Sequence, residues 1–180
     1  GNIKNDGRIA ANDDLAGKNT ENNGNIYVKN LEVNNLKNTG KVEGVNLKTD
    51  DIANSGDITA IGKVSSGNID NSGKLLANDT ISAKNIKNAT TSSKIASGKG
   101  ITGERIENSG TINITASSSA SKPNIGMFTE DKDTVITNNK DIIGGNNTYG
   151  IYGKKVELNA TGKIKVGDNS VGIYSNGQHT

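Results

Sequence analysis

Leu36-Lys37-Asn38-Thr39-Gly40-Lys41-Val42 is answered sixteen residues later by Ile52-Ala53-Asn54-Ser55-Gly56-Asp57-Ile58. The shared phrase, aliphatic-x-Asn-x-Gly-x-aliphatic, returns at Ile3–Ile9, Ile69–Leu75 and Ile106–Ile112. A variant opens on Thr20 and keeps Asn22, Gly24 and Ile26, and a degenerate copy has Ile86 and Asn88 with Thr90 where glycine is expected. Asn5, Asn22, Asn38, Asn54, Asn71 and Asn88 are spaced 17, 16, 16, 17 and 17 residues apart. A fixed period of this kind is the signature of a repeat architecture.

Aliphatic residues keep the same period in three series. One is Ile9, Ile26, Val42, Ile58 and Leu75. A second is Leu36, Ile52, Ile69 and Ile86, with Ile3 in front and Thr20 filling the gap. The third is Leu15, Leu31, Leu47, Val64 and Ile81. Each turn therefore offers three inward positions about five or six residues apart, as three short strands around a triangular or oval coil require. Sixteen or 17 residues are too few for a helical hairpin, and Asn, Gly, Thr and Ser are poor helix formers. Inward Ile and Val suit strands. The reading is all-β: a parallel β-helix, each coil one strand spacing above the last. The hand of parallel crossovers favours a right-handed coil.

The Asn-x-Gly element marks a tight corner, where Gly and Asn adopt positive φ most cheaply. Asparagines so placed stack coil on coil and exchange amide hydrogen bonds along the axis. A single coil buries too little to stand alone, so stability must come from stacked neighbours. This accounts for a composition with only 31% hydrophobic and 3% aromatic residues, which would otherwise suggest disorder.

Residues 1–180 read as one β-helix segment in three parts: short coils over 1–90, a loop-rich transition over 91–123, and longer coils over 124–180. Residues 91–100 and 115–123, rich in Ser, Ala, Lys and Gly, are expected to project as loops or to mark a change of register. Beyond them a new phrase appears: Ile125-Gly126-Met127-Phe128, Tyr149-Gly150-Ile151-Tyr152 and Val171-Gly172-Ile173-Tyr174. Its glycines are 24 and 22 residues apart. Phe128, Tyr152 and Tyr174 share one repeat position, so an aromatic ladder is expected; a sugar-stacking platform is the alternative.

Charge excludes an extreme partner. There are 21 Lys plus Arg and 19 Asp plus Glu, a net charge of +2 with no clustered basic stripe, so no nucleic acid is expected. No run approaches the roughly 20 apolar residues of a membrane helix. With no cysteine and one histidine, His179, neither a thiolate metal site nor a Ser-His-Asp arrangement can be assembled. Asp13-Asp14 and Asp50-Asp51, the only adjacent Asp-Asp pairs, are about two coils apart and could share a side of the helix; they are read as solvated corners. Gly144-Gly145 lacks the Lys-Ser/Thr of a phosphate loop. No catalytic, cofactor or metal residue is assigned, and an enzyme is not expected.

The repeated Ile-x-Asn-x-Gly-x-Ile phrase resembles coils of filamentous-haemagglutinin-type exoproteins and of autotransporter passenger domains. Tyr149-Gly150-Ile151-Tyr152, with Val156–Ile164 after it, is similar to the very large autotransporter adhesins of fusobacteria. This resemblance covers nearly the whole chain, although 16- to 17-residue coils are shorter than such proteins usually have. It implies a passenger segment at a bacterial cell surface, exported by type V secretion and held to the outer membrane through a C-terminal barrel that this sequence does not contain. The implied role is a stalk or display segment that attaches to a protein or glycan receptor on host cells or other bacteria. Two alternatives follow from the same architecture: a two-partner-secreted exoprotein with a carbohydrate-binding surface, and a β-helix polysaccharide-degrading enzyme.

Overall fold

The computed structural model describes residues 1–175 and Gly177; His179 lies outside the described residues. Among the described residues there are strands and no helix. Every strand pairing is parallel, within one twelve-stranded and one nine-stranded sheet. The nine-stranded sheet takes one strand from each coil, and Ile9, Ile26, Val42, Ile58 and Leu75 follow one another across it. The chain is a parallel β-helix.

The other two aliphatic series share one sheet, where three separate strands were expected. Asn30–Asn38 is a single nine-residue strand carrying both Leu31 and Leu36 inward. Its alternation breaks at Asn34-Asn35, two successive exposed residues, and Asp50-Asp51 repeats the break one coil on. The register passes over Asn34 and Asp50 and resumes at Asn35 opposite Asp51. A strand that turns two neighbours outward bends without ending, because pairing resumes at once. The coil thus keeps three inward faces with two hydrogen-bonded sheets.

All three series close on one core. Leu31, Leu36, Val42, Leu47, Ile52 and Ile58 are buried, and the same columns continue through Ile101, Ile106 and Ile112. Thr20 is the flaw the sequence flagged. It stands between Ile3 and Leu36, is 2% exposed, and its hydroxyl has no hydrogen-bond partner. A buried hydroxyl left unpaired costs about 1–3 kcal/mol. Thr20→Val, nearly the same shape, is therefore expected to stabilise the chain by about 1–2 kcal/mol, seen as a higher urea midpoint at unchanged slope. A lower midpoint would mean that the hydroxyl is satisfied.

The asparagines form the central ladder, with two more members than the short-coil count gives. Asn5, Asn22, Asn38, Asn54, Asn71, Asn88, Asn108 and Asn138 are all buried. Each Nδ2 donates to the Oδ1 of the next, over 2.7–3.1 Å from Asn5 to Asn138. The Nδ2 of Asn22 also donates to the carbonyls of Gly24 and Lys41, and Asn54 repeats this with Gly56 and Lys74. The ladder therefore outlasts the 16- to 17-residue beat, which stops at Asn88; insertions in the corners lengthen the count between rungs that stay in register.

Residues 91–100 are mostly not a projecting loop. Lys94–Ser97 is a strand paired with Lys74–Ala77 on one side and Thr111–Ile114 on the other, and Gly100 begins the next long strand. Only the turn before Lys94 is enlarged, and Ser93, not Thr90, takes the glycine place, since Lys94 lies in register with Lys74. Its hydroxyl donates to the Thr90 carbonyl at 2.6 Å and closes the turn. Residues 115–123 do form a loop with no strand between Ile114 and Asn124. In the later coils the bend opens into a true break, leaving Asn124–Phe128 and Val135–Asn138 as separate strands.

The corner glycines have a different cause from the one expected. Among the described residues positive φ occurs only at Gly100, Asn147 and Asn169. Gly24, Gly40, Gly56 and Gly73 are instead pressed by the coil beneath. A Cβ on each would lie 2.0–2.2 Å from the carbonyl oxygen of the preceding glycine in the column. Glycine is required there by close backbone approach.

Candidate functional surface

With the inward side chains committed to packing, any contact with a partner falls to the outward rows and the corners. One row of the larger sheet runs Glu32, Lys48, Ser65, Ser82, Thr102, Phe128, Tyr152, Tyr174. It changes from charged through hydroxylic to aromatic along the axis. A parallel row alternates in sign, with Lys4, Glu21 and Lys37 in register and Lys37 3.1 Å from Glu21. Exposed pairs of this kind fix register more than they add stability. Glu32 beside Lys48, at 2.7 Å, holds the Lys48 ammonium above its usual pKa by a hydrogen bond.

The aromatic ladder expected from the repeat is present. Tyr152 and Tyr174 are 4.8 Å apart with planes 16° from parallel, too close to lie side by side, so their faces overlap. Tyr149 lies nearly parallel to both, and Phe128 meets Tyr152 edge-on at 5.3 Å. Overlapped faces favour packing over a sugar platform, which needs its ring faces free. Tyr27, outside the aromatic half, has cations on it: Arg8 at 5.3 Å and Lys41 at 5.5 Å from the ring centre. Arg8 and Lys41 each follow a corner glycine and stand in one column on either side of Asn25, two residues before Tyr27, so the repeat itself carries the signal.

The acidic pairs do not come together. Asp14 accepts from Asn30 at a corner after the smaller sheet, whereas Asp50 and Asp51 sit at the bend of the larger one and accept from Asn34 and Asn68. Among the described residues no three of His, Cys, Asp and Glu group as metal ligands. Gly144 ends a strand and Gly145 lies against Ala116.

Corners carry the variation. Residues 129–134 turn on Asp131, whose carboxylate accepts from the Thr134 hydroxyl at 2.5 Å and the Asp133 amide at 2.9 Å. These bonds, the hydroxyl first, hold its pKa below the ordinary carboxylate value. A lowered folded-state pKa contributes stability that is complete above the ordinary value and lost as pH falls below it. Acidification through that range is expected to loosen this turn first, read as faster exchange of the Asp133 amide; a rate indifferent to pH beyond the intrinsic trend would contradict it.

Loop 115–123 is tied down at both ends. Ser117 donates its hydroxyl to the Lys122 carbonyl at 2.7 Å, and Asn147 donates to the Ser117 carbonyl at 2.9 Å. Beneath it, over the outward face of the smaller sheet, runs an open groove of about 900 Å³ whose lining includes Leu76, Asn78, Ala96, Asn113 and Ser118. A smaller groove, about 520 Å³, lies beside Phe128 and is lined by Ser82, Thr102 and Glu130 among others. No known protein family, curated protein or solved structure matches the chain.

Proposed function

We propose that this chain is a β-helical stalk of a bacterial surface adhesin, a rod that holds contact loops away from the cell and performs no chemistry. The observation that carries this reading is where the insertions lie. The enlarged turn before Lys94, loop 115–123 and turn 129–134 are all placed at corners, while the asparagine ladder runs unbroken past them to Asn138. Such a rod tolerates change in what it displays without change in what holds it up. Resemblance to type V autotransporter adhesins adds the cell-surface location and the attachment role.

Beads coated with the purified chain test it. They are expected to adhere to host cells or to other bacteria, and to adhere less when 115–123 is shortened at unchanged thermal midpoint. Beads no more adhesive than bare ones would remove the attachment role.

A further inference from the structure

A chain this rich in asparagine generates Asn-x-Thr triplets readily, and five fall at Asn78, Asn88, Asn113, Asn146 and Asn159. Asn-x-Thr is the acceptor pattern for N-linked sugars, which require a reachable amide and therefore a surface position. The fold sorts these five sharply. Asn88 is 1% exposed and donates its amide to Asn108 within the ladder. Asn159 donates to Asn139. Asn146 accepts from the Asp168 amide, and its partner Thr148 is fully buried with its hydroxyl on the Gly145 carbonyl.

Asn78 and Asn113 differ from the other three. Asn78 is exposed and Asn113 half-buried, and their partners Thr80 and Thr115 are half-buried and exposed. The side chains of these four residues make no hydrogen bonds among the described residues, so both acceptor amides are free. The two asparagines also line one groove, the one of about 900 Å³ under loop 115–123. Its floor is the outward row Leu76, Ala96, Asn113, with Leu76 37% exposed. Lys99 at its edge is paired with Asp79 at 3.1 Å. Lys122 is the other charged residue of the lining. A small-residue floor with one exposed aliphatic, and walls that are otherwise neutral, suits a neutral sugar, whose C–H face covers Leu76 while its hydroxyls meet water and the serines of the loop.

We infer that Asn78 and Asn113 are glycan attachment sites for a neutral hexose or N-acetylhexosamine, seated in the groove they share. The step is catalysed by a separate transferase using a sugar diphosphate. The Asn Nδ2 forms a bond to the anomeric carbon, the bond from that carbon to the diphosphate oxygen breaks, the diphosphate leaves with the electron pair, and the amide proton passes to a base of the transferase. Attachment at Asn88 is incompatible with the ladder. The inference rests on the cell-surface reading, since sugars on a stalk serve a surface exposed to solvent and proteases.

Glycopeptide mapping of the protein recovered from the cells that make it tests the inference, with surface labelling by a membrane-impermeant amine reagent run beside it. Sugar increments are expected at Asn78 and Asn113, each abolished by its own Asn78→Gln or Asn113→Gln variant, with none at Asn88. A single-sugar increment identifies a nucleotide-carried donor and a preassembled oligosaccharide a lipid-carried one. Unmodified peptides at both positions overturn the inference whether or not the protein is labelled. Absence of labelling alone counts against the surface reading and leaves the mapping result to stand by itself.

Discussion

Asn54→Asp is expected to destabilise the chain by about 4–5 kcal/mol or more at neutral pH, comparable to the whole stability of a marginal domain. Asn54 is 2% exposed; it accepts from Asn38 at 2.8 Å and donates to Asn71 at 2.8 Å, Gly56 at 3.1 Å and Lys74 at 2.8 Å. A carboxylate keeps the first bond and turns an oxygen toward three other oxygens. It also places a charge in a buried position. Burial raises the pKa of such an acid above its unfolded value. The folded state then binds more protons than the unfolded one, so relative to the parent the variant loses stability as pH rises above the unfolded pKa of about 3.9 and regains part of it on acidification. Asn54→Ala removes the donor without adding charge and should cost about 2–4 kcal/mol with no such pH dependence. Urea melts of both variants and the parent at pH 4 and 7 separate the effects. Equal losses for the two variants at pH 7 would mean the ladder rung is open to water.

Gly40→Ala is expected to cost at least about 3 kcal/mol, beyond the usual range of single-methyl overpacking, because the atoms in the way are backbone. The added Cβ would lie 2.1 Å from the Gly24 oxygen and 2.8 Å from the Asn23 carbonyl. Neither can move without parting two coils. Gly7 makes the control: it occupies the same column, and a Cβ there meets nothing within 4 Å. Gly7→Ala should change stability by no more than a few tenths of a kcal/mol, or raise it slightly by restricting the unfolded chain. Thermal melts of the two variants decide. If both behave alike, close approach is not what glycine serves.

Ser93 shows how the fold admits a side chain at that place. It occupies the column between Gly73 and Gly110, and its corner has been rebuilt with the residues before it. This is also where reading the sequence falls short. A fixed count finds repeats only while no corner gains residues, so Asn108 and Asn138 drop out of a 16- to 17-residue beat although they continue the ladder. The inward rows were legible because burial demands the same chemistry at each level. Outward rows obey no such demand: the passage from Glu32 to Tyr174 through Ser65 and Thr102 becomes a row only once register is known. The reason for the glycines was misread on similar grounds. Dihedral preference is a property of one residue and can be argued from its type, whereas the approach of the coil below is a property of the stack. The sharing of one bent sheet by two faces, hidden in the paired outward residues Asn34-Asn35 and Asp50-Asp51, is likewise visible only in the pairing.

The ladder bonds and the backbone bonds between coils all run along the axis, from each level to the next. Tension along the rod therefore pulls these bonds end-on, and failure proceeds by peeling one coil at a time. Each level is about 4.8 Å thick, yet a peeled coil of 16 residues pays out roughly 50 Å of extended chain. The levels with enlarged corners, such as the 30 residues from Asn108 to Asn138, pay out nearly twice as much. A rod built this way lengthens stepwise under load, which under the proposed stalk role would limit the force passed to whatever the loops hold.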